Sequence, residues 1–483
     1  MPGGLLQLVV KGKMDEFINE NPEINFYKFA YKRHVNFAME NFRCDFENKP
    51  EINVINNVQS SVYRCEIKRH GNYLTNLYLR YTLPDIYSND TYKFKWIENV
   101  GCLIIKKASI NIASTEIDTL NGEYLIINNE LTLPVKDSFN NLTGNVSSLT
   151  SVPLLPIPVM KINNNTLYSS VYPSANKNIN GAAPSIKGRE IIIPLSFNFT
   201  KHPSLAIQFS RLLNADMPTY VYLEFENFEN LYQVYSNDLQ MYISPSYYNE
   251  LYGTSIKFND FIKQNHDLNM YIDTNQVLLD QLVLKEIILN EPITTVVVEK
   301  LYIGNNYRGI VARDNHTSKI DINVNYHVKE IIWTLKRSDY YKFNTPTNYT
   351  NLIPEDKEKG GIMKYGVINW KDLSTSYTRI ENDANYYNII QPYQHHSCIP
   401  KMGIYSYSFS IYPEKWIPTG SYNNSQITTE LFITVNEGSN EDINKKLIAM
   451  NKTPYNYEYE LQFYIKTINI IEYNSGRAGL KYA

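Results

Sequence analysis

The chain has 483 residues, well beyond the ~250–300 at which one hydrophobic core stops growing, so two domains are expected. A hydrophobic content of 43% with 20% charged residues excludes wholesale disorder, and 20 Gly with 22 Pro exclude a collagen-like or proline-rich chain. A formal net charge of −3 gives no long-range attraction to phosphate and argues against nucleic-acid binding.

Tyrosine is in excess, 41 against 4 Trp, beside much Asn and Ile. Tyr and Ile favour strands and Asn favours turns, which predicts many strands joined by polar loops. At the start, Leu5–Val10 is too short for a membrane span or a secretory core, and Lys11 and Lys13 follow it rather than precede it. Cys44, Cys65, Cys102 and Cys398 show no CxxC spacing, as expected of a reducing compartment without disulfides. Asn-x-Ser/Thr triplets such as Asn141, Asn145, Asn198 and Asn451 are expected by chance in so Asn-rich a chain. The chain reads as soluble, made inside the cell and unanchored.

The dominant period along the chain is two. Leu77, Leu79, Tyr81 and Leu83 alternate with Tyr78, Arg80 and Thr82, predicting a strand. Asn121–Glu130 predicts a short helix with Tyr124, Ile127 and Leu131 on one face, stopped by Pro134. Residues 135–187, rich in Asn, Ser and Pro, read as a long outward loop. Pro203–Leu213 has helical spacing, and Val221, Leu223 and Phe225 form another alternating strand. Further alternations run over Ile320–Val328, Tyr405–Ile411 and Leu461–Ile465, each with one face in a core and one wet or half-covered. Residues 340–385 read as a second outward loop, carrying the exposed charged turn at Glu355 and Lys357.

No strand–helix–strand rhythm repeats, so the fold class is all-β with antiparallel sheets. Two domains of this size are usually sandwiches or jelly rolls. The expected division is an arm at 1–23, a first domain at 24–230 and a second at 231–483.

Candidate chemistry is sparse. Gly304–Gly309 has the spacing of a P-loop start but lacks the following Lys-Ser/Thr, so it reads as a turn. His395, His396 and Cys398 form the most metal-like cluster, yet neighbouring residues of a strand point apart and no second ligand pair is present. They are expected to pin a loop by hydrogen bonds. The basic runs Tyr31–His34 and Ile67–His70 are short and read as solvated or interface faces. No catalytic residue, metal ligand or cofactor site is expected, and the residues favour a structural or binding protein over an enzyme.

Specific strings then carry a resemblance. Gly3–Val9, Asn21–Lys28, Tyr31–Phe37, Gly122–Leu125, Asn129–Leu133, Ile193–Leu195 and Val328–Trp333 occur in the order seen in major capsid proteins of nucleocytoplasmic large DNA viruses. The most specific run is Tyr387–His396, followed by Ile399-Pro400, Gly403–Tyr405 and Pro418–Gly420. The chain thus resembles that family over essentially its whole length. The resemblance implies two jelly-roll barrels per chain and three chains per pseudo-hexagonal capsomer of an icosahedral shell. It further implies contacts with neighbouring capsomers, with minor capsid and penton proteins, and with proteins of an internal membrane, in a virion assembled in the host cytoplasm. The alternatives are a paralogous minor capsid protein and a jelly-roll carbohydrate-binding or attachment protein.

Overall fold

The computed structural model describes residues 3–9, 12–14, 21, 34–52, 55, 62–151, 155–162, 165–213, 216–263, 266–356, 359–371, 376–425 and 427–482. Two bodies of antiparallel sheet follow one another along the chain.

In the first, the strand Tyr73–Thr82 pairs on one side with Tyr271–Leu279, which in turn holds the edge strand Phe37–Asp45. Its other side takes Glu190–Pro194 and Ile207–Gln208. A second sheet orders Val62–Glu66, Thr219–Phe225, Ile105–Ile112 and Thr115–Leu120. The apolar members of each alternation, among them Leu77, Leu79, Ile110, Val221 and Leu223, are at most 1% exposed and share one core. Period two therefore becomes a sandwich because each strand has one face to bury.

The second body repeats the plan. Glu458–Asn474, 17 residues long, lies between Thr294–Ile303 and His327–Arg337, and Ile404–Ser408 extends the sheet beyond His327–Arg337. The facing sheet orders His316–Ile322, Thr428–Val435, Met363–Lys371 and Ser376–Asp383. Trp333, Leu335, Ile433 and Leu461 lie in its core.

Several expectations need correction. The division at residue 230 falls inside the first body, because Tyr232–Ser236 pairs with Phe94–Trp96 and Tyr271–Leu279 is central to the first sheet. The second body starts at Thr294, after the linker helix Gln281–Asn290. Residues 135–187 are not a plain loop: they hold the helices Asp137–Thr143 and Ser147–Thr150 and the hairpin Leu155–Ile162 with Asn165–Val171. Residues 340–385 contain two full strands of the second barrel, Met363–Lys371 and Ser376–Asp383. Glu355 is partly buried in an ion pair with Lys401 at 3.1 Å, whereas Lys357 lies outside the described residues.

Pro203–Leu213 forms 3-10 turns at Pro203–Leu205 and Phe209–Arg211 around a two-residue strand, since Ile207 and Gln208 pair with Leu74 and Tyr73. The alternation at 320–328 is broken into His316–Ile322 and His327–Arg337, and the strand at 405–411 ends at Ser408. The helix at Asn121 forms as expected, spanning Gly122–Thr132 with Asn121 as its cap. Of the arm, Gly3–Val9 is helical; most of 10–33 lies outside the described residues, including Tyr31–Arg33 of the first basic run.

Candidate functional site

The strands His327–Arg337 and Glu458–Asn474 are buried on both faces. Ile331, Trp333 and Leu335, with Leu461, Phe463 and Ile465, fill the second core. The alternate residues turn to the first barrel: Ile332 and Tyr464 join the first core, and the rings of Tyr464 and Tyr124 lie 5.6 Å apart. The same face carries Glu330, Lys336, Glu460, Gln462 and Lys466, all buried. A bulge between Val328 and Glu330 brings Lys329 into the seam as well.

These charges are paired across and along the seam. Lys336 reaches Glu123 of the first-barrel helix at 3.1 Å, and the Tyr349 hydroxyl donates to the same carboxylate at 3.0 Å. Glu123 is placed by its helix start: Asn121 accepts from the Tyr124 N–H at 2.8 Å, and a Cβ on Gly122 would lie 2.0 Å from the Cys102 carbonyl oxygen. Glu299 of the second barrel takes Lys201 of the first at 2.5 Å, and its other oxygen takes Lys329. Glu330 pairs with Lys466 at 2.8 Å and with His396 Nε2.

His396 Nδ1 donates to Glu414 at 3.1 Å. Burial pulls its pKa down, but the Glu330 carboxylate and the hydrogen bonds to Glu330 and Glu414 outweigh it and leave the imidazole above its ordinary value. Burial pushes Glu330 up, and the charges of His396 and Lys466 outweigh that, holding it well below the carboxylate range.

Hydrogen bonds to backbone carbonyls complete the joint. The Cys398 N–H donates to the Leu131 carbonyl at 2.9 Å, the Leu213 N–H to Gly476 at 2.9 Å, and the Lys446 ammonium to the Leu239 carbonyl at 2.7 Å. The His202 ring stacks on Trp416 at 4.4 Å.

The sequence-predicted cluster divides. His395 is half-buried and bonds the Ile411 carbonyl through Nδ1 at 3.0 Å, while the His396 side chain is buried between two carboxylates. Around it Asn388 donates to the Ile404 carbonyl at 2.8 Å and Gln391 accepts from the Ser408 N–H at 3.2 Å, so the most specific string does pin a loop. Among the described residues, no group of three or more His, Cys, Asp or Glu has metal-binding geometry. Gly304–Gly309 is a turn running into the strand Tyr307–Val311. In the second basic run, Arg69 donates to the Leu212 and Met217 carbonyls and His70 stacks on Phe42. Asp118, Glu123, Glu299, Lys329, Glu330, Lys336 and Lys466 were not singled out by sequence reasoning. Their signal was charge in phase with, or adjacent to, apolar residues of a strand or, for Glu123, of a helix.

The profile described as "Large eukaryotic DNA virus major capsid protein" matches residues 292–479, and that described as "Major capsid protein N-terminus" matches residues 25–250. The two segments fall on the two barrels in turn. This chain belongs to the major capsid protein family of large eukaryotic DNA viruses. Among its relatives, the major capsid protein of Phaeocystis pouchetii virus is 24% identical and the match spans all of both chains. Probable capsid protein 4 of Acanthamoeba polyphaga mimivirus is also 24% identical, over all of this chain and 99% of that one. In fold, PBCV-1 VP54 superimposes with a TM-score of 0.63 at 15% identity, covering 95% of this chain and 100% of that chain. The Faustovirus major capsid protein gives a TM-score of 0.64 at 10% identity, covering 95% and 94%. The two bodies are jelly rolls, and the chain is a double jelly roll.

Proposed function

We propose that three copies of this capsid protein join into a capsomer whose six barrels give a pseudo-hexagonal outline, and that capsomers tile an icosahedral shell. The observation that carries this reading is the seam. Paired buried charges and backbone hydrogen bonds bolt the two barrels into one rigid block, and a block of fixed outline is what a regular lattice needs. Apolar side chains left outside give copies something to bury: no residue of the linker helix Gln281–Asn290 is buried, and Leu282 and Leu289 are 77% and 79% exposed. The role is structural, with no reaction assigned to the chain. Neighbouring capsomers are its first partners, minor capsid and penton proteins and membrane-associated proteins beneath the shell its next, and the host cytoplasm its place of assembly.

Electron micrographs of the purified protein test the reading. Six-sided particles support it, and particles no larger than one barrel pair oppose it. A paralogous, less abundant capsid role has one observation in its favour: two differently named mimivirus capsid proteins, numbers 1 and 4, are both relatives. Copy number in purified virions separates the two.

A further inference from the structure

The two barrels match strand for strand. Phe37–Asp45, Tyr271–Leu279, Tyr73–Thr82 and Glu190–Pro194 lie side by side in the first, as Thr294–Ile303, Glu458–Asn474, His327–Arg337 and Ile404–Ser408 do in the second. In the facing sheets the edge strand Thr115–Leu120 leads into the helix Gly122–Thr132. Its counterpart Ser376–Asp383 leads into the helical segments Tyr386–Ile390 and Gln391–His395.

The seam joins unlike surfaces of these matched bodies. The first barrel contributes a head: the Asp118 carboxylate on Thr115–Leu120 accepts from the Leu301 N–H at 3.5 Å, Glu123 on the helix meets Lys336, and Lys201, after the strand Glu190–Pro194, meets Glu299. The second barrel contributes the face of Thr294–Ile303, Glu458–Asn474 and His327–Arg337 that lies away from its own core. Such a contact is heterologous, and within one chain it leaves a head on the second barrel and a sheet face on the first turned to solvent.

Both of these surfaces carry exposed apolar side chains. On the second-barrel head Tyr393 and Ile411 are 77% and 61% exposed, and Ile390 and Ile417 are exposed in the same two segments. His395 Nδ1 bonds the Ile411 carbonyl at 3.0 Å and so ties the helix to the loop at 409–418. The flank of this head runs into the seam, where the Cys398 N–H bonds Leu131 and Trp416 stacks on His202. Its counterparts on the first barrel, Tyr124 on the helix and Leu205 on the turn after Glu190–Pro194, are buried.

On the first-barrel face Phe37 and Met39 are 59% and 55% exposed; they stand opposite Leu279 and Val277, with Tyr73 next to Val277 in the row. Cys44 and Ile272, in the other phase of the same strands, face the core. The matching second-barrel strands bury Leu301, Ile332 and Tyr464 against the first barrel.

We propose that a second copy of this chain lays its first-barrel face, Phe37–Asp45 with Tyr271–Leu279, on the second-barrel head at Tyr393 and Ile411, repeating the seam between copies. The inference rests on the capsomer reading and names the contact that holds the capsomer together. A seam within one chain forms as the chain folds and accommodates buried charge pairs. Separate copies must draw two wetted surfaces together, and burial of apolar area drives that. One head-to-face step, used within and between chains, runs on around a ring, whereas a like-to-like contact would stop at a pair.

Light scattering at micromolar concentration, with a melting curve for each chain, tests this. Tyr393→Asp on the head and Met39→Asp on the face should each raise the concentration needed for assembly about tenfold or more, with melting temperatures close to the native one. Tyr341→Asp, at an exposed tyrosine outside both surfaces, should assemble as the native chain does. Irradiated Tyr393→benzoylphenylalanine should give a two-chain product linked at Phe37–Asp45, Tyr73–Thr82 or Tyr271–Leu279, an arm that needs no disruptive substitution. Unchanged assembly in either of the first two variants, equal dissociation by Tyr341→Asp, or cross-links confined to other segments would overturn the docking, while a native three-chain particle kept the capsomer. A native chain that stays single overturns both.

Discussion

Lys336 of the second barrel reaches into the first and meets Glu123 at 3.1 Å, both side chains almost wholly covered. Burial alone would lower the lysine's pKa, but the Glu123 carboxylate outweighs it and raises the group. Each charge is therefore tolerable only while the other is present.

Lys336→Met leaves Glu123 without its cation and should cost about 3–5 kcal/mol, the usual figure for breaking one side of a buried pair. Adding Glu123→Gln removes the stranded charge, keeps an acceptor for the Tyr349 hydroxyl and should recover much of that loss. Urea unfolding of the two variants makes the comparison. Equal midpoints would mean that packing, rather than the charge pair, sets the cost.

His396 gives the seam an upper pH limit. Its pKa is raised on folding, so its contribution is fully present below its unfolded value of about 6.5 and is lost as pH rises through the folded value. Glu330 sets the lower limit: held below its unfolded value, it contributes above about pH 4.5 and fades as pH falls. The difference in melting temperature between the native chain and His396→Gln should therefore shrink above neutral pH. A difference that stays constant from about pH 5 to about pH 9 would contradict the ion pair.

Phe409 is half-buried, its ring 4.2 Å from that of Tyr422 and 5.8 Å from that of Trp370. Phe409→Asp places a carboxylate among these rings and should cost several kcal/mol. Glu355→Ala frees Lys401, which still donates to the Thr347 carbonyl at 2.6 Å. Its cost should be about 1 kcal/mol, above a plain surface change yet far below that of Phe409→Asp. Soluble yield and melting temperature rank the two.

Gly403 has φ +89°, and a Cβ there would lie 2.4 Å from the Tyr349 carbonyl oxygen. Gly403→Ala should cost about 2 kcal/mol or more. Gly479→Ala meets nothing within 4 Å and should stay within about 0.5 kcal/mol. Thermal melts of both variants check the contrast.

The barrels were legible because alternation at Leu77–Leu83 or Val221–Phe225 reports one buried face directly. The helix at Asn121 was legible from its cap and its stop. The seam was not, because Gln462, Tyr464 and Lys466 alternate with apolar neighbours just as a solvated face would, and only the docking of the other barrel covers them. Tyr271–Leu279 was missed because its inner face is polar: Thr274 and Gln276 are buried, and the Gln276 amide accepts from the His70 and Gly71 N–H groups at 2.9 and 2.7 Å. Residues 363–383 were masked by the loop-like composition on either side. His396 was legible as a structural group because its neighbours offered hydrogen bonds rather than a ligand set.

The mass of the native particle bears most directly on the capsid reading. Light scattering on the purified chain at micromolar concentration should give three times the 56.2 kDa chain mass. A stable particle of one chain mass across that range, still folded by its melting transition, would contradict the capsomer.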